Sequence, residues 1–375
     1  MITRIYVNNF RCLVAFKAEF DSFGVLCGPN GAGKSSVFDA LRLIKNLATG
    51  DGVLGGDGER DIPYLEFTRW QTGSAQESVV QEFELGVAVG GRAFEYVVHI
   101  EQKASFEKPR IVKESAYCNG KILFERDLDG VRFQKSDGSK TGFPLDWRQA
   151  ALASIQPRGN LSDLAILQEA IAKLLILRPN PRSMERESRA ESKRPDSDLA
   201  NLTSWYRALS AEQEWTDMLR ESLRRVWPDF RAFKMEDVGL NTKALQLRFD
   251  AANGSDAGLL FFHQLSDGEK ALLGLYMVRA ALGTGAAKTV LIDEPDNFVG
   301  LPELQPWVLS MRELLDHDHQ ALLISHHPEI LSSAGGDSGR YLWRDSHTSP
   351  TRIGPLKIPE GLSAGEAVAR GWVGA

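Results

Sequence analysis

The spacing of hydrophobic and polar residues changes several times along the chain. Residues 2–7 and 13–27 have the pattern of strands on either side of a turn, and the second run ends in apolar residues just before a glycine-rich stretch. Over 36–44 the apolar residues recur at helical spacing instead. The beginning of the chain is therefore predicted to run strand, turn, strand, glycine-rich loop and helix.

Residues 78–135 show alternation, in which every second residue is apolar, and turn dipeptides interrupt it. These dipeptides are Gly90-Gly91, Asn119-Gly120 and Asp129-Gly130. Turn dipeptides between alternating segments are strong signals of β-hairpins. We therefore expect an antiparallel meander inserted after the first helix.

From about residue 146 to 230 the pattern is helical, with helices predicted over 161–177, 199–209 and 215–226. The polar, proline-bounded stretch 178–194 carries a small excess of basic residues, and it is expected to be a mobile loop. It could contact nucleic acid or a partner, but we favour a solvated connector.

The last third of the chain alternates strands with helices. After strands within 237–262, the pattern predicts a helix over 270–282, a strand over 289–293, a helix near 303–315 and a strand over 320–325. Both of the last two strands are short, continuous apolar runs, which is typical of parallel strands that are buried on both faces.

Composition narrows the functional classes. The 375 residues are 43% hydrophobic and carry a net charge of −6, so any contact with nucleic acid needs a local basic patch. The three cysteines have no metal-site or disulfide spacing, which favours a reducing, cytoplasmic location. The first residues do not resemble a signal peptide, and no apolar run is long enough to span a membrane. We therefore expect no membrane partner.

Residues 28–35 read Gly-Pro-Asn-Gly-Ala-Gly-Lys-Ser, which matches the phosphate-binding Walker A pattern. The backbone N–H groups of such a loop, together with the N-terminus of the following helix, bind phosphate. Lys34 is expected to reach the β- and γ-phosphates, and the Ser35 hydroxyl to bind Mg²⁺. The residues expected to contact the nucleotide here are Asn30, Gly31, Gly33, Lys34, Ser35 and Ser36.

Two acidic residues follow the apolar strand 289–293. Asp293 ends the strand, and a carboxylate at the carboxyl edge of a parallel sheet faces the ligand crevice and suits Mg²⁺. Glu294 follows at once and is placed to polarise the attacking water as a general base. An ordinary acidic turn is the alternative, and the upstream Walker A motif disfavours it.

Ser266 and Glu269 form an S-x-x-E pattern ahead of the predicted helix 270–282, which is typical of a capping box. A capped helix start with a small Gly268 also offers free N–H groups and a hydroxyl to an anion.

His326 follows the strand 320–325 and can hydrogen-bond the γ-phosphate. The stretch 316–319, Asp-His-Asp-His, has the composition of a metal cluster, but we favour a solvated loop.

Together these motifs resemble those of ABC-type ATPases of the SMC, RecF and OLD kind, often described as AAA-type ATP-binding proteins. Residues 5–11 are similar to the start of such proteins, and 265–269 resemble their signature motif. Residues 293–295 resemble Walker B, and His326 resembles the switch histidine. The resemblance implies an α/β fold: an ABC-type P-loop ATPase head, whose mixed central sheet carries an antiparallel β meander and a helical lobe.

The resemblance also implies boundaries and a further catalytic residue. Residues 1–150 would form the first part of the ATPase lobe, 151–262 the helical lobe with connecting strands, and 263–375 the second part with the signature, Walker B and the switch histidine. Such proteins use a glutamine that contacts Mg²⁺ and the attacking water. Gln156 is our favoured candidate, and Gln71 is the alternative.

The chain also departs from these relatives. The segment before the signature is too short for a long coiled-coil arm, and no C-terminal nuclease pattern follows His326. We therefore expect an ATP- and Mg²⁺-dependent ATPase that forms a homodimer on ATP binding, acts in DNA repair or phage defence, and works with DNA or with a separate nuclease or toxin chain. The alternative is a nucleotide-gated scaffold or sensor for an effector chain. The spacing of the motifs disfavours a transporter subunit.

Overall fold

The computed structural model describes residues 1–55, 61–62, 67–68, 78–103, 108–134, 140–156, 162–250, 258–316, 318–359, 361–363, 366–367, 370 and 372. The strands are β1 (Ile2–Asn8), β2 (Phe16–Glu19), β3 (Phe23–Cys27), β4 (Val53–Leu54), β5 (Asp61–Ile62), β6 (Ser78–Val89), β7 (Arg92–Lys103), β8 (Arg110–Cys118), β9 (Lys121–Asp127), β10 (Gly130–Gln134), β11 (Lys140–Phe143), β12 (Leu174–Leu177), β13 (Glu187–Ser188), β14 (Phe230–Gly239), β15 (Thr242–Phe249), β16 (Gly258–Phe261), β17 (Thr289–Asp293), β18 (Gln320–Ile324), β19 (Gly339–Trp343) and β20 (Arg352–Pro355). The helices are α1 (Lys34–Thr49), α2 (Ala151–Ser154), α3 (Ser162–Ala172), α4 (Leu202–Leu209), α5 (Gln213–Val226), α6 (Asp267–Gly283), α7 (Leu301–Glu313) and α8 (Pro328–Ser338).

The larger sheet contains the antiparallel meander that the turn dipeptides predict, and this meander forms the strands β6 to β10. Its eight strands lie in the order β11-β10-β9-β8-β7-β6-β1-β2. Asn119 and Gly120 both have positive φ, 48° and 76°, in the turn between β8 and β9. This is the backbone that two-residue hairpin turns require, and it explains the asparagine–glycine pair.

The second sheet positions the candidate site. Its strand order is β12-β17-β18-β3-β19-β20, and all neighbours are parallel except β19 and β20. Every residue of β3, β12, β17 and β18 is buried. Parallel strands that are covered on both faces show such continuous apolar runs, and their carboxyl ends meet at one edge.

Helices cover both faces of this parallel sheet. Leu322 and Ile324 of β18 belong to a core that contains α1 and the inner face of the antiparallel sheet. The alternate residues, Ala321 and Leu323, belong to a second core that contains α5, α6 and α7. The central sheet is thus sandwiched between two apolar layers, in agreement with the predicted α/β class.

Three sequence predictions differ from the structure in detail. The segment 161–177 is not one helix, because α3 ends at Ala172 and β12 follows it. Residues 13–27 form two strands, β2 and β3. The segment 178–194, for which the sequence predicts a mobile loop, makes backbone hydrogen bonds from Arg178 N to Ser197 O (2.6 Å) and from Glu185 N to Ala200 O (2.8 Å).

A third sheet combines β13, β14, β15 and β16 next to the helices α4 and α5. Within the described parts of the chain, no helix is long and apolar enough to cross a membrane.

Candidate nucleotide-binding site

The Walker A residues form a loop between β3 and the N-terminus of α1. Gly33 has φ +99°, and a Cβ there would come within 2.4 Å of Thr351 Oγ1 and 2.7 Å of Cys12 Sγ. Only glycine fits this position. Lys34 begins the helix, and its buried ammonium donates to the carbonyls of Gly28 (2.8 Å) and Pro29 (3.1 Å).

Asp293 and Glu294 lie where β17 ends, as the sequence predicts. Burial raises the pKa of Asp293, and a hydrogen bond between its carboxyl group and the Ser35 side chain acts in the opposite direction. Glu294 has φ 55°, and its Oε2 accepts from Asn297 Nδ2 at 2.9 Å. The backbone turn after the strand therefore gives the two adjacent carboxylates different surroundings.

His326 follows β18 at the same edge of the sheet. Its Nε2 is shielded from solvent and has no hydrogen-bond partner among the described residues. Burial lowers the pKa of His326, and the nearby positive charge of Lys34 lowers it further. His327 is directed elsewhere, since its Nδ1 accepts from Glu329 N at 3.3 Å and caps α8.

A cavity of about 820 Å³ opens above this edge of the sheet. The predicted residues that line it are Asn30, Gly31, Gly33, Lys34, Ser35, Ser36 and Glu294. The residues that sequence reasoning did not single out for this site are Arg11, Cys12, Phe67, Arg178, Arg344, His347 and Thr348. Arg11 falls within the family-like start at 5–11, whereas the others belong to no motif.

The residues present suit Mg²⁺ with ATP. The Ser35 side chain lies close enough to Asp293 to lower the pKa of that carboxyl group, so a hydroxyl and a carboxylate lie near each other beside the phosphate loop. No group of three His, Cys, Asp or Glu residues that could hold a metal occurs in the described part of the chain. Mg²⁺ fits such a site because it takes one or two carboxylates and fills its other positions with phosphate oxygens and water.

Arg178 is the basic residue nearest to the Walker B carboxylates. It directly follows β12, the neighbour of β17, and its guanidinium lies 4.0 Å from Asp293 Oδ2 and 3.5 Å from Glu294 Oε2. It is exposed and lines the cavity. A guanidinium here supplies positive charge where a phosphate chain would carry its greatest negative charge.

Gln156 does not approach this cluster. It follows α2, whose Ala153 packs on Gly50 at the C-terminal end of α1, whereas the phosphate loop precedes the N-terminal end. The sixteen-residue helix separates the two ends by about 24 Å. Arg178 instead occupies the strand end beside Walker B. Gln71 lies outside the described residues.

Ser266 and Gly268 lie at the start of α6, and neither lines the cavity. The predicted capping box is present: Glu269 N donates to Ser266 Oγ (3.3 Å), and Ser266 N donates to Glu269 Oε2 (2.8 Å). A Cβ on Gly268 would come within 2.8 Å of Phe298 O. The signature therefore packs against the segment after Walker B and forms a surface separate from the cavity.

The segment after β12 reaches both surfaces. Arg178 contacts the Walker B carboxylates, and Arg182 pairs with Asp267 at 3.3 Å in the first turn of α6. The Arg182 guanidinium also lies over the Phe298 ring, 5.6 Å from its centre. One short segment thus connects the cavity with the signature.

The stretch 316–319 behaves as a loop. Asp316 Oδ1 accepts from the backbone N–H groups of Asp318 (2.7 Å) and His319 (2.9 Å), which engages the carboxylate in local turn contacts. His317 lies outside the described residues.

Comparisons with known proteins agree with this geometry. A family model described as "AAA domain, putative AbiEii toxin, Type IV TA system" matches residues 23–332. A search of curated proteins gave no significant match.

Three solved structures are similar over nearly the whole chain. An SMC head domain bound to the C-winged helix domain of ScpA has a TM-score of 0.55 at 13% identity, covering 96% of this chain and 98% of that one. An SMC head domain with an extended coiled coil, bound to the C-terminal domain of ScpA from Pyrococcus furiosus, has 0.53 at 12%, covering 98% of each. An SMC head domain from Thermotoga maritima has 0.47 at 15%, covering 95% and 99%. The first two show the ABC-type head fold.

Proposed function

The chain belongs to the AAA-domain family whose model spans residues 23–332, and we propose that it binds ATP with Mg²⁺ and hydrolyses it. One observation supports this proposal above all others. The Walker A loop, the carboxylates of Asp293 and Glu294, and His326 follow neighbouring parallel strands and converge at one edge of the sheet. Ligands bind at this edge in open α/β sheets.

Each side chain has a role that its position allows. Lys34 and the N–H groups of the loop bind the β- and γ-phosphates, and Ser35 with Asp293 holds the metal. Mg²⁺, when bound, neutralises phosphate charge. Glu294 accepts the proton of the attacking water, and the unpaired Nε2 of His326 hydrogen-bonds the γ-phosphate.

The signature residues suggest a second copy of the chain as partner. Ser266 and Gly268 begin α6 outside the cavity, so they do not complete the site of their own chain. We propose that two chains close around two ATP molecules and that each α6 N-terminus meets the γ-phosphate bound by the other chain. The charge of ATP then stabilises the dimer.

The biological setting that we propose is defence against phage. The matching family is described by a toxin of a toxin–antitoxin system, and an ATP-gated dimer is suited to controlling a separate toxin or nuclease chain. DNA repair remains the other setting for the same ATPase. Of the basic residues in 178–194, Arg182 pairs with Asp267 and Arg194 with Asp51, which favours a structural role of the segment over a DNA contact.

A scaffold or sensor that holds an effector is the second candidate. Leu259 and Leu260 of β16 are 48% and 39% exposed, a few residues before the signature. Exposed apolar residues on a strand suit a protein partner better than a nucleic acid. An effector that changes the rate of hydrolysis would favour this candidate, and stimulation by DNA would favour the repair role.

Lys34→Ala tests nucleotide binding itself. The substitution removes the ammonium that lies against the phosphate loop, so we expect ATP affinity to fall by at least tenfold, in line with the loss of a charge-assisted contact. Calorimetric titration of purified protein with ATP and Mg²⁺ measures this change. Unchanged affinity in a folded Lys34→Ala protein would refute the assignment of the site.

A further inference from the structure

We propose that the loop between β19 and β20, residues 344–351, binds the nucleoside end of the nucleotide, with His347 and Thr348 as the contacting side chains. The inference rests on the proposed function and extends it from the phosphates to the base. The ligand class is a purine nucleoside triphosphate.

Strand order fixes the direction in which the nucleotide lies. Along the carboxyl edge of the sheet the strands run β12, β17, β18, β3 and β19. The γ-phosphate end is marked by the ends of β12 and β17, where Arg178, Asp293 and Glu294 lie. The phosphate loop follows β3, so the remaining part of a nucleotide extends toward β19.

The dimensions agree with this direction. Because neighbouring strands lie about 4.8 Å apart, the three steps from β17 to β19 span roughly 14 Å, which is the length scale of an extended nucleoside triphosphate. β19 is parallel to β3, and its carboxyl end therefore opens at the same edge. The loop that follows it begins at Arg344, and His347 and Thr348 line the cavity from this end.

Hydrogen bonds hold the loop 344–351 in place. Arg344 donates to Ser349 O at 2.8 Å, to Gly31 O of the phosphate loop at 3.2 Å, and to His347 O. At the other end of the loop, Thr351 Oγ1 donates to Ala32 O at 2.8 Å. Both ends are thereby attached to the Walker A loop, and the position of His347 is set relative to the phosphate site.

The exposed side chains at the centre of the loop supply what a nucleoside needs. His347 offers a flat ring for base stacking, and Thr348 offers a hydroxyl for a polar group of the sugar or base. Phe67 lines the same cavity and adds apolar surface. Stacking tolerates different bases but is stronger with the larger purine rings, so we expect ATP and GTP to bind better than CTP and UTP.

Paired titrations separate the base from the phosphates. ATP and inorganic tripolyphosphate, each with Mg²⁺, are titrated into Glu294→Gln protein, which limits hydrolysis, with and without His347→Ala. We expect His347→Ala to lower the affinity for ATP by about tenfold or more, as loss of a base-stacking side chain does. The affinity for tripolyphosphate should stay within about twofold of that of the parent. His347→Phe keeps an aromatic ring and should retain most of the affinity for ATP. Thr348→Ala should lower the affinity for ATP by a few-fold.

His263→Ala is the matched control, because this exposed histidine does not line the cavity. Unchanged ATP affinity in His347→Ala, or an equal loss for ATP and tripolyphosphate, would overturn the role of the loop. If ATP affinity is unchanged in His347→Ala while tripolyphosphate still binds tightly to every variant, the role of the loop fails and the phosphate site stands. If the parent protein bound neither probe, the proposed function itself would fail, and this inference with it.

Discussion

At the scale of single residues, the site depends on side chains that are fixed by strand ends. Asp293 and Glu294 are adjacent in sequence, yet one is buried against Ser35 and the other faces the cavity beside Asn297. The positive φ of Glu294 turns the backbone at once after β17. These different surroundings are consistent with the separate roles that we propose for the two carboxylates, Asp293 toward the metal and Glu294 toward water.

Glu294→Gln should separate hydrolysis from binding. The amide cannot accept a proton from water, so we expect turnover to fall by roughly 10²- to 10⁴-fold while ATP affinity changes little. Phosphate release measured under steady-state conditions, together with a titration of ATP, tests both parts. Glu313→Gln, at an exposed carboxylate on α7, is the control and should behave as the parent. Near-normal turnover in Glu294→Gln would exclude the general-base role.

Sequence identified most residues of this site that lie in motifs, with Arg11 as the exception, and missed those that lie in none. The Walker A residues and Glu294 line the cavity as predicted. Arg178 and His347 belong to no recognisable pattern, because tertiary structure alone brings their strand ends to the edge of the sheet. The predicted glutamine, Gln156, follows the meander, but the strand that ends beside Walker B is β12, which Arg178 follows.

At the scale of elements, the hydrophobic pattern predicted most hairpins. It gave the wrong element for a short, continuous apolar run, in which no periodicity distinguishes a strand from a helix. The run Leu174–Leu177 is fully buried, and a short apolar run reads equally well as strand or buried helix. Because α3 directly precedes it, the two merge into one apparent helix in the sequence. The pairing of β12 with β17 is a long-range contact that no local signal reveals.

A buried polar network attaches α2 to the meander. Both Glu114 and Arg126 have fully buried side chains and lie 3.4 Å apart. The Glu114 carboxylate also accepts from the N–H groups of Ala151 (2.6 Å) and Leu152 (2.9 Å) and from the Tyr96 hydroxyl (2.8 Å). It therefore caps the start of α2 from within the sheet.

Glu114→Ala should destabilise the fold strongly. The substitution leaves the Arg126 charge buried without its carboxylate, so we expect the free energy of unfolding to fall by about 3 to 5 kcal/mol. Urea unfolding measures this difference. Glu125→Ala, which removes an exposed carboxylate 3.5 Å from Arg132 on the neighbouring part of the sheet, should cost less than about 1 kcal/mol. Equal, small decreases in the free energy of unfolding of both variants would show that the buried network contributes little to stability.

At the scale of the whole molecule, the Walker motifs and the signature motif lie on different surfaces of the chain, and in the proposed function they are two halves of a catalytic site. The cavity is lined by the phosphate loop and by Glu294, and the α6 N-terminus with Ser266 and Gly268 lies outside it. The segment with Arg178 and Arg182 contacts both. Two copies arranged head to tail would complete two sites, and ATP would form part of the interface.

The most direct test of this account is a mixing experiment with two inactive variants. Ser266→Arg places bulk and charge on an exposed signature residue, and Lys34→Ala disables the phosphate loop. Each alone should hydrolyse ATP poorly, whereas their mixture should regain activity, because a mixed dimer contains at most one working composite site. Steady-state phosphate release is measured for both proteins separately and after mixing. Recovery above the sum of the separate rates is the predicted result. A mixture no more active than that sum, or normal hydrolysis by Ser266→Arg alone, would contradict the composite site.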